Sequence, residues 1–143
     1  MSSDSVVIAS YARTPMGGLQ GVFASVKSTE LGATAVKAAV ERAGVAPDKI
    51  DRIYMGCVLP AGLGQSPARQ AGLGAGLALS VQASTVNKMC GSGMQTIIMA
   101  YDTLRAATAD VIVAGGMESM TMVPMTGNKL SASPKAMETF AVR

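Results

Sequence analysis

The sequence contains no histidine and no tryptophan, and only 3% of its 143 residues are aromatic. Without histidine, the chain cannot supply the imidazole of a Ser-His-Asp or Cys-His catalytic set. Two cysteines are too few for a disulfide framework, and their spacing excludes a CxxC redox pair. A Cys/His zinc site is excluded as well, so we expect no metal. Any hydrophobic core must be built from aliphatic residues and from the 11 methionines.

Charge is also scarce, since only 15% of the residues are charged and the net charge is +3. No basic stripe or series of aromatic residues accompanies this small excess, so we expect no nucleic-acid partner. The hydrophobic content of 49% excludes a disordered tail. No run approaches the ~18 consecutive apolar residues that a membrane-spanning helix needs, and we therefore expect no membrane partner.

The few charges are distributed unevenly along the chain. Residues 27–52 contain nine charged side chains, whereas residues 53–101 contain only Arg69 and Lys88, whose partners the sequence leaves open. A long uncharged stretch is costly to expose to water, and a chain of this size cannot bury it all. We expect another subunit or further chain to cover part of it; an apolar monomeric core is the alternative.

The first residues, Met1 to Ser5, lack the basic region of a secretory signal peptide and the arginines of a transit peptide. We therefore expect a cytoplasmic location, which suits unpaired cysteines.

Strands and helices are predicted to alternate along the chain. The predicted strands are residues 6–9, 53–59, 81–86 and 111–114, and the predicted helices are residues 30–43, a segment after Ser66-Pro67, and residues 91–108. Ser28 or Thr29 is predicted to cap the first helix and Gly44 to end it. This order predicts an α/β fold with a mainly parallel sheet and helices on its faces.

Two regions near the carboxyl end complete the prediction. The helix at residues 91–108 is predicted to have an apolar face formed by Met94, Ile97, Ile98, Tyr101 and Leu104. After Met117 the composition predicts a loop-rich extension with one weak helical patch near its end.

Cys90 is the candidate catalytic residue. In Val86-Asn87-Lys88-Met89-Cys90-Gly91-Ser92-Gly93 it lies between a predicted strand and a predicted helix. Ligands of open α/β sheets bind beyond the carboxyl ends of the strands. A helix N-terminus presents unpaired N–H groups and a partial positive charge, which favour a thiolate. The same amides could bind the oxyanion that forms when a thiolate attacks a carbonyl group.

A packing role is the alternative for Cys90, because a free cysteine is often a small buried hydrophobic residue. The residues alone leave these two interpretations open. Cys57 lies inside or just after a predicted strand, without a comparable setting, and we assign it to packing. The glycines of residues 72–76 do not follow a strand, as a dinucleotide-binding motif requires, and do not indicate a phosphate site.

Four separated motifs resemble those of thiolases, specifically acetyl-CoA acetyltransferases. They are Arg13-Thr14-Pro15-x-Gly17, Gly64-Gln65-Ser66-Pro67-Ala68-Arg69-Gln70, Asn87-Lys88-Met89-Cys90-Gly91-Ser92-Gly93-Met94 and Gly115-Gly116-Met117-Glu118-Ser119-Met120. The resemblance covers about residues 6–124. It implies the thiolase αβαβα sandwich, with residues 1–118 as an incomplete N-terminal core domain and residues 119–143 as the truncated start of a loop domain.

The resemblance also implies an activity. Cys90 would be the nucleophile that is acylated by acetyl-CoA, and its backbone N–H would contribute to an oxyanion hole. The reaction would form or cleave acetoacetyl-CoA, with coenzyme A thioesters as substrates and no permanently bound cofactor. We assign no residue to coenzyme A binding. The family implies a homodimer or homotetramer, and a complementary chain is the alternative partner.

The chain lacks three catalytic features of the family. Family members carry a Gly-His-Pro histidine, a second catalytic cysteine in a Cys-x-Gly-Gly-Gly motif, and an asparagine that holds a water molecule, and none of these motifs occurs here. Two alternatives to the acetyltransferase remain. One is a degradative 3-ketoacyl-CoA thiolase, which acts on longer acyl chains. The other is an inactive piece that forms oligomers, and we expect no condensation from the 143 residues alone.

Overall fold

The computed structural model describes residues 5–124, which contain three helices and three strands. In chain order these are α1 (Ser28–Ala43), β1 (Arg52–Gly56), α2 (Pro67–Gly74), β2 (Gln82–Val86), α3 (Ser92–Arg105) and β3 (Ile112–Gly116). Short 3₁₀ turns lie at Pro47–Lys49 and Met120–Met122. The predicted helical patch near residue 143 lies outside the described residues.

The three strands form one parallel sheet in the order β2-β1-β3. Gly56 at the end of β1 lies opposite Val86 on one side and Gly116 on the other. All three strands therefore end at the same level, and the segments that follow them meet at one edge of the sheet. This arrangement confirms the predicted α/β fold with a parallel sheet.

Alternating side chains of the central strand β1 face helices on the two sides of the sheet. Ile53 and Met55 are 0% and 1% exposed and belong to the main hydrophobic core. On the other side, the Tyr54 hydroxyl lies 3.2 Å from Oγ1 of Thr103 in α3. The core cluster also draws residues from α1 and α2, including Val36, Val40, Ala68 and Ala71. The sheet is therefore covered by α2 on one face and α3 on the other.

The predicted strand at residues 6–9 is wrong, because this segment pairs with no strand within the described residues. The chain here follows α1: the Ser10 hydroxyl donates to Ala39 O at 2.6 Å, and Arg42 donates to Tyr11 O at 3.1 Å. Val7 and Ile8 are exposed. A run of β-branched residues favours an extended backbone, but a strand also requires a neighbour that completes its hydrogen bonds.

The predicted apolar face of α3 does not pack on the sheet. Met94, Ile97, Ile98 and Tyr101 are all exposed, by 46% to 71%. The side chains that α3 buries are small: Ser92, Thr96 and Ala100. Within residues 53–101, β1 is therefore buried, whereas the outer face of α3 is exposed and β2 has no fully buried residue. This agrees with the expectation that the chain alone cannot bury the whole uncharged stretch.

The predicted helix ends are partly confirmed. Gly44 ends α1 with φ of 65°, and its N–H donates to Glu41 O. Neither Ser28 nor Thr29 caps α1, because Lys27 is the capping residue and both hydroxyl residues are buried.

Arg69 forms its hydrogen bonds with nearby backbone carbonyl groups, since its guanidinium donates to Val81 O at 2.7 Å and to Leu79 O at 2.8 Å. Within residues 5–124, no helix is long and apolar enough to cross a membrane.

Candidate active site

Cys90 lies in the connection between β2 and α3, at the edge of the sheet where the strands end, and is exposed. The preceding residue, Met89, has φ of 48°. A residue with a Cβ atom adopts this left-handed conformation only at a cost, so neighbouring contacts must hold it in place. The connection turns sharply at Met89 and directs the chain into the helix.

Two polar side chains close the turn around Cys90. On one side, Asn87 Oδ1 accepts a hydrogen bond from Met89 N at 3.1 Å. On the other side, the Ser92 hydroxyl donates to Met89 O at 2.6 Å and accepts from Lys88 N at 2.8 Å. Ser92 is buried, being 4% exposed. The backbone around Cys90 is therefore fixed from both sides, while Cys90 itself stays accessible.

The first turn of α3 contributes a positive potential next to Cys90. Gly91 is the N-cap residue, and the first turn of a helix has N–H groups without intrahelical partners. Lys88 Nζ donates to Gln95 Oε1 at 2.7 Å, which places a cation over the same turn. Helix N-termini and cations attract negative charge. The surroundings of Cys90 therefore suit a reaction in which a negative charge develops.

Glu118, two residues after β3, binds the segment that follows β1. Its carboxylate accepts hydrogen bonds from Val58 N at 2.8 Å and from Leu59 N at 3.0 Å. Val58 is also bound on its other side, since Asn87 Nδ2 donates to Val58 O at 3.3 Å. The ends of all three strands are thus connected at the edge that carries Cys90.

Cys57 differs from Cys90 in its surroundings. It is 1% exposed and belongs to the hydrophobic core. Burial raises the pKa of the Cys57 thiol to about 11, and the negative charge of Glu118 adds to this effect. Oε1 of Glu118 lies 3.8 Å from Cys57 Sγ. The predicted packing position of Cys57 is confirmed.

Glycines allow α3 to lie close to the sheet. A Cβ atom on Gly56 would lie 2.6 Å from Ser92 C and 2.7 Å from Gly93 N, and one on Gly116 would lie 3.3 Å from Gly93 Cα. Gly93, beside Cys90 in the sequence motif, therefore serves the close packing of helix and sheet. Glycine at the ends of both β1 and β3 was the sequence feature from which this close packing could have been predicted.

Cys90 does not line a cavity of about 580 Å³ that lies between residues 12–19 and residues 116–121. Arg13, Met117 and Glu118 are among its lining residues. No group of three metal-ligating side chains occurs within residues 5–124. The contacts around Cys90 therefore define an accessible turn at the N-terminus of α3.

Comparison with known protein families shows to which family this chain belongs. A family model described as thiolase, N-terminal domain, matches residues 6–142. The chain belongs to the thiolase family. This result confirms the resemblance carried by the four motifs, including the one that contains Cys90. The thiolase match extends across residue 118, so the proposed division between residues 1–118 and 119–143 stays a prediction.

Curated relatives of this thiolase chain are named acetyl-CoA acetyltransferases. Mitochondrial acetyl-CoA acetyltransferase B of Xenopus laevis is 56% identical over 119 residues, covering 83% of this chain and 28% of the relative. Acetyl-CoA acetyltransferase of Schizosaccharomyces pombe is 48% identical over 124 residues, covering 87% of this chain and 31% of the relative. A cytosolic acetyl-CoA acetyltransferase of Gibberella zeae is 49% identical, covering 83% of this chain and 30% of the relative. Because the relatives differ in compartment, the cytoplasmic location stays a prediction.

A solved structure confirms the fold. The crystal structure of Acat5 thiolase from Ascaris suum in complex with coenzyme A matches with a TM-score of 0.80 and 35% identity. The match covers 82% of this chain and 31% of that one. The chain therefore has the thiolase fold and spans less than a third of the length of the relatives it matches.

Proposed function

We propose that the protein containing this chain is an acetyl-CoA acetyltransferase that forms or cleaves acetoacetyl-CoA, and that Cys90 carries its acyl intermediate. The observation that supports this most directly is the exposed position of Cys90 in front of the α3 N-terminus, within a thiolase motif. Cys57, the other cysteine, is buried in the core.

The first chemical step uses Cys90 as a nucleophile. Its thiolate attacks the carbonyl carbon of acetyl-CoA, and negative charge develops on the carbonyl oxygen, which the backbone N–H of Cys90 helps to stabilise. The bond between the carbonyl carbon and the coenzyme A sulfur then breaks. The released coenzyme A thiolate takes up a proton, which balances the proton lost from the Cys90 thiol. The product is an acetyl thioester on Cys90.

The second step is a carbon–carbon condensation. A base removes a proton from the methyl group of a second acetyl-CoA, and the resulting carbanion attacks the acetyl group on Cys90. The bond between the acetyl carbon and the Cys90 sulfur breaks, and acetoacetyl-CoA leaves. The Cys90 thiolate takes up the proton that the base removed, which restores the thiol. The chain has no histidine, and we propose that the base belongs to residues outside these 143.

The length of the preferred acyl chain separates the acetyltransferase from a degradative 3-ketoacyl-CoA thiolase. The names of the relatives favour the short substrate. We expect the intact protein to cleave acetoacetyl-CoA with a higher kcat/KM than long-chain 3-ketoacyl-CoA. Faster cleavage of the long-chain substrate would favour the degradative enzyme instead.

Intact-mass measurement tests the role of Cys90. After incubation of the intact protein with acetyl-CoA, we expect one acetyl adduct that peptide mapping locates on Cys90. The adduct is lost in Cys90→Ala and retained in Cys57→Ser, which serves as the matched control. An adduct that persists in Cys90→Ala, or an active protein whose Cys90 is never acetylated, would contradict the proposal.

A further inference from the structure

Val58 is held from two sides by polar side chains that follow the other two strands. Glu118, after β3, accepts a hydrogen bond from Val58 N at 2.8 Å. Asn87, directly after β2, donates to Val58 O at 3.3 Å. Glu118 also accepts from Leu59 N at 3.0 Å, so its two oxygens hold two consecutive amides. Hydrogen bonds to a carboxylate are stronger than those between neutral groups. The position of Val58, and of its carbonyl oxygen, is therefore set by Glu118.

The side-chain amide of Asn87 connects the Val58 carbonyl group to the turn before Cys90. Its nitrogen donates to Val58 O, and its oxygen accepts from Met89 N at 3.1 Å. One planar amide makes both bonds, so a displaced Val58 carbonyl rotates the amide and weakens the bond to Met89. Met89 has φ of 48° and depends on such contacts. The connection runs from Glu118 through Val58 and Asn87 to the residue next to Cys90.

We infer that Glu118 is a positioning residue for Cys90, acting through Val58 and Asn87. This inference rests on the proposed role of Cys90 as the acylated nucleophile. Through these contacts Glu118 holds the turn that carries Cys90 in its position before the first turn of α3. Misplacement of a reacting group by about 1 Å can cost on the order of 100-fold in rate.

Asp51 provides a matched control at the opposite end of the same sheet. Its Oδ2 accepts hydrogen bonds from Asp110 N at 2.8 Å and Val111 N at 3.0 Å. Like Glu118, it uses a carboxylate to bind two consecutive amides, and it connects the segments around β1 and β3. It lies just before β1, at the edge away from Cys90. Asp51→Asn therefore reports the loss of a similar structural contact without a change at Cys90.

The test is a double-mutant cycle on the intact protein, with the rate of Cys90 acetylation by acetyl-CoA as the readout. We expect Glu118→Gln to slow acetylation about tenfold when Asn87 is present. In the Asn87→Ala background we expect the same change to slow it by less than about twofold, because the connection is already broken. Asp51→Asn is expected to change the rate by less than about twofold. If Glu118→Gln does not fold, Glu118→Asp, which keeps the charge, is expected to give a smaller slowing with the same dependence on Asn87.

If Glu118 had a purely structural role, the acetylation rates of the variants would follow a different pattern. Equal slowing by Glu118→Gln in both backgrounds, slowing of the same size by Asp51→Asn, or no slowing at all would overturn the inference. The rate of Cys90 alkylation by iodoacetamide is measured in parallel on the same variants. If unmutated Cys90 accepts no acetyl group, the proposed function fails, and the dependence of the alkylation rate on Glu118 and Asn87 still decides the positioning role.

Discussion

At the scale of single residues, the two cysteines show how strongly surroundings determine what a thiol can do. Cys57 is buried beside the Glu118 carboxylate, and both features raise its pKa, to about 11. Cys90 is exposed on a turn whose backbone is fixed by Asn87 and Ser92. The thiolate is the reactive form of cysteine, and it must also be reached by the reagent.

Alkylation is therefore expected to distinguish the two cysteines. In the native protein at mildly alkaline pH, iodoacetamide should modify Cys90 and leave Cys57 intact, because Cys57 is inaccessible and remains protonated. In denaturant, both should react at similar rates. Peptide mapping by mass spectrometry measures the modified fraction at each site. Native modification of Cys57 as fast as that of Cys90 would show that the core around Cys57 opens readily.

Gly56 lies where β1 and the start of α3 come closest. A Cβ atom there would lie within 2.8 Å of three atoms of Ser92 and Gly93, two of which are backbone atoms that cannot rotate away. We expect Gly56→Ala to lower the free energy of unfolding by about 1–3 kcal/mol, as overpacking does, and to slow acetylation of Cys90. Denaturant titration measures the first effect. Gly18→Ala is the matched control, since its Cβ has no neighbour within 4 Å; equal stability of the two variants would refute the close contact.

At the scale of secondary-structure elements, local patterns predicted most of the sheet and helices. The β-branched runs gave β1, β2 and β3, and Gly44 ended α1 as expected. The errors concern which face of an element is covered. Residues 6–9 have a strand composition but pair with no strand in the part of the chain that the structure describes. The large apolar residues of α3 are exposed, because glycines and small residues form the face that lies against the sheet. Periodicity identifies an apolar face but not what packs on it.

Asp51 connects elements at the amino-terminal edge of the sheet, and its ionisation is expected to affect stability in acid. Hydrogen bonds from the Val111 and Asp110 amides, and the charge of Arg52, lower the pKa of Asp51 below its ordinary value of 3.8. The folded state thus favours the carboxylate. The resulting stabilisation is fully present above pH 3.8 and is lost as the pH falls through the lowered pKa.

The thermal midpoint measured against pH checks this expectation. The unmodified protein should lose more stability on acidification than Asp51→Asn, whose side chain does not titrate. Asp48→Asn, an exposed change on the preceding 3₁₀ turn, should follow the unmodified protein. Parallel acid profiles for Asp51→Asn and the unmodified protein would mean that the amide contacts of Asp51 do not depend on its charge.

At the scale of the whole molecule, the sequence predicted that Cys90 lies between a strand and a helix, but not the contacts that hold this turn. The position of Cys90 could be predicted because strand, turn and helix are neighbours along the chain. Glu118 and Val58 are 60 residues apart in sequence and meet only because β1 and β3 pair in parallel. Residues that sheet topology brings together from distant parts of the chain show no pattern in the local sequence. Both residues that hold Val58 lay inside thiolase motifs, yet no spacing rule indicated their contact.

The exposed apolar residues of α3 are candidates for a subunit interface, and we propose that the protein forms a homodimer or homotetramer. Met94 and Ile97 are 71% and 54% exposed, and Ile98 and Tyr101 on the same helix are also exposed. Exposed apolar residues at this helical spacing are typical of interfaces. Either another subunit or further residues of the protein would cover it, in agreement with the scarcity of charge in residues 53–101.

The 143-residue polypeptide alone is expected to catalyse no condensation, although it carries Cys90. Removal of a methyl proton from acetyl-CoA requires a positioned base, and the chain has no histidine. The Glu118 carboxylate already accepts two amide hydrogen bonds, and we therefore do not expect it to remove the methyl proton. Formation of acetoacetyl-CoA from acetyl-CoA, measured for the polypeptide and for the intact protein at equal concentration, checks this. Activity in the intact protein alone agrees with a base outside these residues, whereas turnover by the polypeptide that disappears in Cys90→Ala would place a base within them.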